Sequence, residues 1–518
     1  MTEDGSDATA AAAAVIDGDD AEDVVDRGHY DVLGVGLGPF NLGLAALLDG
    51  DGLDLDAVFL EREPEFAWHE GMLIEGATLE VPFLADLVTM ADPTSRYSFL
   101  NYLRERDRIY EFYFYETFQI PRQEYDDYLR WVAERVSATQ FGREVTSVDY
   151  VEAVADSNTA DAADTGAFVV EAVDPETGRR YRYRADDLVM GVGSRPAVPE
   201  FAREYADPTV GGDGGEDADE RVFHTASYLE RRDAALEADS ITVVGSGQSA
   251  AEVVLDLLER QSAHDFRLDW LTRSEGFFPM EYSKLGLQHF TPEYARYFYD
   301  LPQSRKDDLL TDQDLLYKGI DVETSERIYD TLYERSIGDG EPDFGMLATT
   351  EVANVERADG SYWLECEQRH QERAFALETD AVIFGTGYHR PTPTFLEPIA
   401  DRIAFDERGR FRIGEAYRLE GEFGSDDSGA DHPDAADGTS AAGGRIFVQN
   451  AEVHTHGVGA PDLGLGCYRN SVIIARLAGG EVYPIDRNTV FQDFDVDQFA
   501  DHAPVCTDGV RSNPLETE

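Results

Sequence analysis

Two glycine pairs stand where binding a phosphate-bearing ligand would need them. In YDVLGVGLGPFNLGLAALL (30–48) an apolar run ends at Gly34 and Gly36, and a helical pattern begins near Pro39. In ITVVGSGQSAAEVVLDLL (241–258) Gly245 and Gly247 hold the same places. A strand that turns sharply through small residues lets backbone N–H groups approach a pyrophosphate, and the helix that follows aims its positive end at the same group. Gly38 and Pro39 occupy the third position of the first motif, followed by Asn41 and Gly43; Ala250 occupies it in the second. One such motif is weak evidence, because tight strand–helix packing also explains it.

The ends of the next strands sharpen the reading. AVFLERE (57–63) closes on Glu61, a carboxylate placed to accept from ribose hydroxyls. LTRSEG (271–276) offers Arg273 instead, and a cation there suits a 2′-phosphate, which predicts NADPH over NADH. The economical account of two dinucleotides is FAD on the first motif and NADPH, its reductant, on the second. DLVMGVGSRPAVP (187–199) and DAVIFGTGYHRP (380–391) run out in small residues, as expected where chain crosses between the two domains. Gly385, Thr386, Gly387 and Tyr388 then lie beside cofactor.

Five apolar runs read as strands: 57–61, 186–193, 241–245, 268–273 and 380–388. Alternating with helical patterns, they predict an α/β protein with parallel sheets and ligands at the strands' carboxyl ends. The expected architecture is two Rossmann-like domains, an FAD domain with an inserted NADPH domain, and a small substrate region. The expected divisions are a disordered acidic tail (1–28), a first FAD part (29–200), an NADPH domain with a substrate segment (221–380), a second FAD part (381–490) and a C-terminal tail (491–518). Three stretches rich in Gly, Ser and Asp (155–167, 207–220 and 424–444) read as acidic surface loops.

The 518 residues carry 43 Lys+Arg against 105 Asp+Glu, a net charge of −62 spread along the chain. So acidic a surface excludes nucleic acid and anionic membrane as partners and points to a halophilic cytoplasm, where carboxylates keep a surface hydrated in salt. Cys366, Cys467 and Cys506 have no pairing or metal-ligand spacing, which predicts a reducing compartment and no metal. No run of eighteen apolar residues occurs, and the start of the chain lacks the basic segment of a signal peptide.

At FAWHEGMLIEGATLEVPFLADLVTMADPTSRYSFLNYL (66–103) the chain resembles the siderophore-pathway N-hydroxylating flavin monooxygenases, the lysine, ornithine and diamine N-hydroxylases. PRQEYDDYLRWVAE (121–134), QHFTPEYARYF (288–298), GTGY (385–388) and FVQNAEVHTHGVGAPDLGLGCYRNSVI (447–473) continue the resemblance, which covers roughly residues 29–480. It implies an enzyme in which NADPH reduces FAD, and the reduced flavin activates O₂ and passes one oxygen atom to a primary amine. It also implies that Trp68, His69, Met72 and Leu73 line the flavin, and that Asn450, His456, Gly457, Leu463 and Gly464 wrap its isoalloxazine end. Gln248 and Ser249, in the nicotinamide-side turn, and Asn450 are the catalytic candidates. Taken singly, Trp68 reads as core and His456 as a satisfied structural histidine.

The amine is read from substitutions within the resemblance. Amino-acid hydroxylases of the family carry a lysine in FLKDL that holds the substrate carboxylate; this chain has FLADL, with Ala85 there. Leu287 stands where ornithine hydroxylases carry an asparagine, and LLYKGID (315–321) is closer to the lysine and diamine branch. A buried carboxylate without a cation costs several kcal/mol, so the expected substrate is a short diamine. Glu80 is a candidate for the far ammonium, and Lys318 would supply the missing cation if lysine or ornithine were the substrate instead. Self-association is left open. A disulfide reductase of the same two-domain plan would need a redox cysteine pair, which is absent. A catalytically idle flavin-binding partner would need neither Arg273 nor the 66–103 segment.

Overall fold

The computed structural model describes residues 24–496, apart from 51–52, 153–165, 207–219, 339–340, 424–443 and 488. All five runs read as strands appear, as Ala57–Leu60, Arg180–Met190, Ser240–Val244, Arg267–Leu271 and Ala381–Phe384. In the first sheet Thr139–Gln140, Ala57–Leu60, Val24–Val35 and Arg180–Met190 lie side by side and parallel. Arg180–Met190 is long enough to take two partners on its far side. Ala167–Val173 pairs antiparallel along its first half, and Arg445–Val448 pairs parallel along its second. Val32, Leu33, Phe59 and Leu188 have no exposed surface, because both faces of these strands are covered.

The second sheet has five parallel strands in the order Val222–His224, Ala381–Phe384, Ser240–Val244, Arg267–Leu271, Phe344–Leu347. An antiparallel meander, Thr350–Ala358, Ser361–Gln368 and Arg373–Thr379, packs against it. The division expected after residue 380 therefore falls later. Ala381–Phe384 is bonded into the middle of the second sheet, and the crossing back comes at Tyr388–His389, which pairs with Arg195–Pro196. An apolar run announces a strand but not the sheet that takes it.

Described residues reach into both expected tails. Val24–Gly28 already belongs to the first strand, where Val24 and Val25 pair with Arg180 and Tyr181. At the other end Phe494 packs on Tyr294, ring centroids 4.9 Å apart, and on His289. This aromatic cluster belongs to the small helical region Pro292–Asp300 and Gln303–Asp312. Residues 1–23 and 497–518, and most of the three acidic loops, lie outside the described residues.

Candidate active site

At the end of the strand Val24–Val35 the chain turns through Gly36, at φ +81°, into the helix Pro39–Leu48. A side chain on Gly36 would be strained by that φ, and its Cβ would also lie 2.6 Å from the Gly191 carbonyl oxygen. Gly38 is the reverse case: a Cβ there would meet nothing within 4 Å. The helix begins with Pro39, has no side-chain cap and no acid in its first turn. Its first-turn N–H groups thus lack a side-chain cap at a positive dipole end, a donor set that fits a pyrophosphate. Glu61 reaches the same turn, where Oε2 accepts from the Leu37 N–H at 2.8 Å.

The second turn repeats the arrangement. Gly245 sits at φ +137° against the Gly385 backbone, Gly247 caps the helix Gln248–Arg260, and again neither a side-chain cap nor a first-turn acid is present. Ser246 Oγ donates to Ser274 Oγ at 3.1 Å, joining this turn to the end of the strand Arg267–Leu271. Arg273 is exposed there, and among the described residues no carboxylate pairs with it. In so acidic a chain that favours a phosphate over a surface ion pair.

Where the two sheets meet, aromatic and imidazole rings gather. Tyr388 lies edge-on to His69 and His224, with centroids 6.2 and 5.2 Å apart. Trp68 lies between His69 and Tyr125. His69 is exposed on one side yet closely surrounded by protein, and that crowding, with the Arg122 charge, pushes its imidazole down to about 4. His224 is fully buried and likewise pushed down to about 4, its Nε2 bonded to the Gly387 carbonyl and its Nδ1 accepting from the Ala226 N–H. Both rings are neutral at neutral pH. Thr386 Oγ1 donates to the Ala197 carbonyl at 2.7 Å, tying together the two strand ends that cross between the sheets.

Ala85 lies further along the first sheet's side of the molecule. Gly464 is so near that a Cβ on it would stand 4.0 Å from Ala85 Cβ, and its N–H donates to Asp462 Oδ1 at 2.7 Å. Asp462 keeps some open surface, yet burial raises its carboxyl to about 6 against the opposing N–H groups of Gly464 and Leu465. Among the described residues no Lys, Arg or His forms an ion pair with it. Tyr282 and Tyr125 are close enough for burial and its charge to hold both phenols neutral.

A family model described as L-lysine 6-monooxygenase/L-ornithine 5-monooxygenase matches residues 28–390. A putrescine N-hydroxylase from Shewanella oneidensis is 39% identical over 95% of this chain and 88% of its own length. The chain belongs to this family. A cadaverine monooxygenase of the desferrioxamine pathway from Erwinia amylovora, solved with FAD, superposes with a TM-score of 0.78 at 38% identity, covering 90% of this chain and 98% of that one. An ornithine N-hydroxylase from Kutzneria sp. 744, solved with reduced FAD, NADP⁺ and L-ornithine, gives 0.73 at 25% identity over 87% and 99%. The fold and the class of enzyme expected from the sequence are those of the family, a flavin-dependent N-monooxygenase.

Several of the candidate residues are engaged in the protein's own packing and hydrogen bonding. Asn41 is fully buried and braces the first turn from behind, donating to the Gly36 carbonyl at 2.7 Å and accepting from Gln449 at 2.8 Å. Met72 packs into the second sheet's core with Phe223 and Val254. Buried His456 stacks on Tyr417 at 4.4 Å; its ring nitrogens are satisfied by Thr455 and the Glu415 carbonyl, and burial pushes it down to about 3. Gly457 packs under Phe298, and Leu463 against the first core. The Gln248 amide is engaged by Glu80, Glu252, Thr324 and the Asp321 N–H, which fastens the seam, while half-buried Ser249 accepts from Thr225 at 3.3 Å.

The substrate-side candidates are rearranged too. Burial, then Asp321 and Glu252, raise Glu80 to about 9, so at neutral pH it is an uncharged carboxyl and a poor receptor for an ammonium. Lys318 Nζ pairs with Asp314 at 2.6 Å, so it is not the missing cation. Leu287 lies in the surface turn Gly286–His289, 37% exposed. Asn450, at φ +60°, accepts from Arg390 at 2.8 Å and is half-buried. Asp462 escaped the sequence reading because an Asp before a short turn reads as a helix cap, which it also is. The available signal was Ala85 itself, since a site that loses a cation is one where an anion can act.

Proposed function

We infer that this protein N-hydroxylates one amine of a short aliphatic diamine, such as putrescine, cadaverine or diaminopropane, for a hydroxamate siderophore. FAD is held at the Gly34–Pro39 turn and NADPH at the Gly245–Gly247 turn with Arg273 at its 2′-phosphate. The observation that carries the substrate is the enclosed Asp462 carboxylate close to Ala85. Relatives that act on an amino acid meet its carboxylate with a lysine at Ala85's position, as the family resemblance implies. Here the same neighbourhood offers a methyl group and an anion, so its charge preference is inverted from carboxylate to ammonium.

Reduced by NADPH, bound FAD activates O₂ and supplies one oxygen atom to the amine. The chain's own residues do the rest. Asp462 holds the far ammonium, which fixes the diamine end to end and leaves its other nitrogen toward the seam between the two sheets. That nitrogen needs a free lone pair, and away from the Asp462 charge, desolvation favours the uncharged amine. The neutral His69 and His224 add no positive charge that would repel the substrate. Tyr388 and the crossing strands hold the two dinucleotide sites at a fixed spacing and limit water entry.

The amino-acid reading, L-lysine or L-ornithine, needs a cation in the pocket, and Lys318 is engaged elsewhere. Hydroxylated product measured with putrescine, cadaverine, lysine and ornithine decides between them. Amino acids hydroxylated as efficiently as diamines would overturn the assignment. Cytoplasmic residence and salt adaptation belong to the same reading, supported by two buried free cysteines and the −62 charge.

A further inference from the structure

The described residues after Gly479 form no helix or strand, yet they are fastened at both ends. Tyr483 Oη donates to the Leu47 carbonyl at 2.7 Å, in the last turn of the helix Pro39–Leu48, and Tyr483 and Ile485 pack on the first core. Farther along, Arg296 donates to the Asp486 carbonyl at 3.2 Å, and Thr489 donates to Glu293 through both its N–H and its hydroxyl. The N–H groups of Phe491 and Gln492 both donate to Gln288 Oε1, at 3.0 and 2.9 Å. Phe494 then closes on the rings of His289, Tyr294 and Tyr297.

The turn gripped by these last contacts has no core of its own. Gly286–His289 contains no buried residue, and Leu285 before it is 71% exposed. Its other hydrogen bonds reach Ser283, Leu285 and Thr291, neighbours in the same stretch of chain. The turn leads into Phe290, which lies against Gly459: a Cβ on that glycine would stand 3.7 Å from Phe290 Cα and would collide with Leu465. The Gly459 carbonyl accepts from the Asp462 N–H at 3.0 Å. A chain of contacts therefore runs from Phe494 and Gln288, through Phe290, to the turn that carries Asp462.

We propose that residues 483–487 and 489–494 form a strap that sets the placement of Asp462 for the amine, with Gln288 and Phe494 as positioning residues. The proposal rests on Asp462 receiving the far ammonium. A diamine offers that carboxylate one charge and otherwise only methylene groups, so its binding depends on where the carboxylate stands. A misplacement of about 1 Å caused far from the reacting atoms can cost about a hundredfold. Fastened at Leu47, the strap refers the amine side to the helix that opens at the Gly34–Pro39 turn.

The test is formation of hydroxylated product by the flavin-loaded full chain in molar KCl, with putrescine or cadaverine varied. Phe494→Ala and Gln288→Leu should each raise the Michaelis constant for the diamine about three- to tenfold, the scale of a ring contact or a pair of hydrogen bonds. kcat at saturating diamine, flavin content and the Michaelis constant for NADPH should change little. Phe494→Tyr keeps the ring and Gln288→Glu keeps the acceptor, so both should stay near the wild-type constant. In an Asp462→Asn background Phe494→Ala should add little, because the carboxylate that the strap places is gone.

An unchanged diamine constant in Phe494→Ala and Gln288→Leu, with Asp462→Asn raising it, overturns the strap and leaves the Asp462 reading intact. A strap effect beside a silent Asp462→Asn removes Asp462 as the ammonium's partner, and the placement argued here falls with it. Equal losses in the NADPH constant or in flavin content mean that the segment only stabilises the fold, which also overturns the proposal. So does a full Phe494→Ala effect in the Asp462→Asn background.

Discussion

Arg122 and Glu252 face each other across the seam between the two sheets, Nη2 to Oε1 at 2.7 Å and Nη1 to Oε2 at 2.8 Å. The pair is nearly sealed from solvent, and Arg122 also donates to the Met72 carbonyl at 3.0 Å. Removing one partner of a buried pair leaves an uncompensated charge and typically costs about 3–5 kcal/mol. Arg122→Ala should therefore lower the denaturation midpoint strongly, whereas Arg122→Ala with Glu252→Ala should recover part of the loss. A double variant no more stable than the single one would show that the pair is not what holds the seam.

Glu80 stands in the same network with one oxygen, Oε2, buried and unpartnered. Its folded value of about 9 exceeds the 4.5 of the free side chain, so folding is penalised as pH rises from 4.5, and the penalty is complete above about 9. Glu80→Gln keeps the shape and removes the titration. The variant should match wild type near pH 4 and exceed it by on the order of 1–3 kcal/mol at pH 8–9. Melting curves for both proteins across that range give the answer; parallel curves would mean that Glu80 is ionised in the fold.

Arg273 predicts coenzyme choice. Arg273→Ala should raise the Michaelis constant for NADPH roughly ten- to hundredfold, as losing a charge-assisted contact of about 1.5–3 kcal/mol implies, and leave that for NADH nearly unchanged. Equal effects on both coenzymes would remove Arg273 from the 2′-phosphate.

Salt should matter to the whole molecule. With 105 carboxylates against 43 cations, repulsion dominates in dilute buffer and is screened in molar KCl. The melting temperature is expected to climb steeply over that interval, and a flat response would sink the halophilic reading.

Much of this architecture was legible in the sequence, because a strand, a glycine turn and a capless helix form a local pattern that states its own ligand. The positions of Glu61 and Arg273 follow the same logic, each standing just beyond a strand at an offset from its turn. What was not legible depended on which way a side chain turns. Asn41, Met72 and His456 lie in the right segments but face the core, where a carbonyl, an apolar cluster or a tyrosine ring claims them. Glu80 carried the right charge by type, but burial beside Asp321 and Glu252 removes it. Asp462 and Ala85 are 377 positions apart in the chain, and only the fold brings their neighbourhoods together.

That last neighbourhood yields the sharpest test. If Asp462 receives the far ammonium, it must be ionised to do so, and its carboxyl titrates at about 6. The Michaelis constant for putrescine or cadaverine should fall as pH rises through about 6 and level off above it, a step that Asp462→Asn abolishes. The same variant should raise that constant roughly ten- to hundredfold at pH 8, the loss of a charge-assisted contact of about 1.5–3 kcal/mol. Stability should move the other way: a raised carboxyl penalises folding fully above pH 6 and not at all below about 4, so Asp462→Asn should be more stable at pH 8 and equal at pH 4. Ala85→Lys then adds a cation beside an anion. It should weaken diamine turnover by pairing with Asp462, and Ala85→Lys with Asp462→Asn should bring lysine or ornithine up relative to diamines. Product formation is the measure throughout, because an uncoupled flavin consumes NADPH without hydroxylating anything. Unchanged diamine kinetics in Asp462→Asn would leave Asp462 as a helix cap and nothing more.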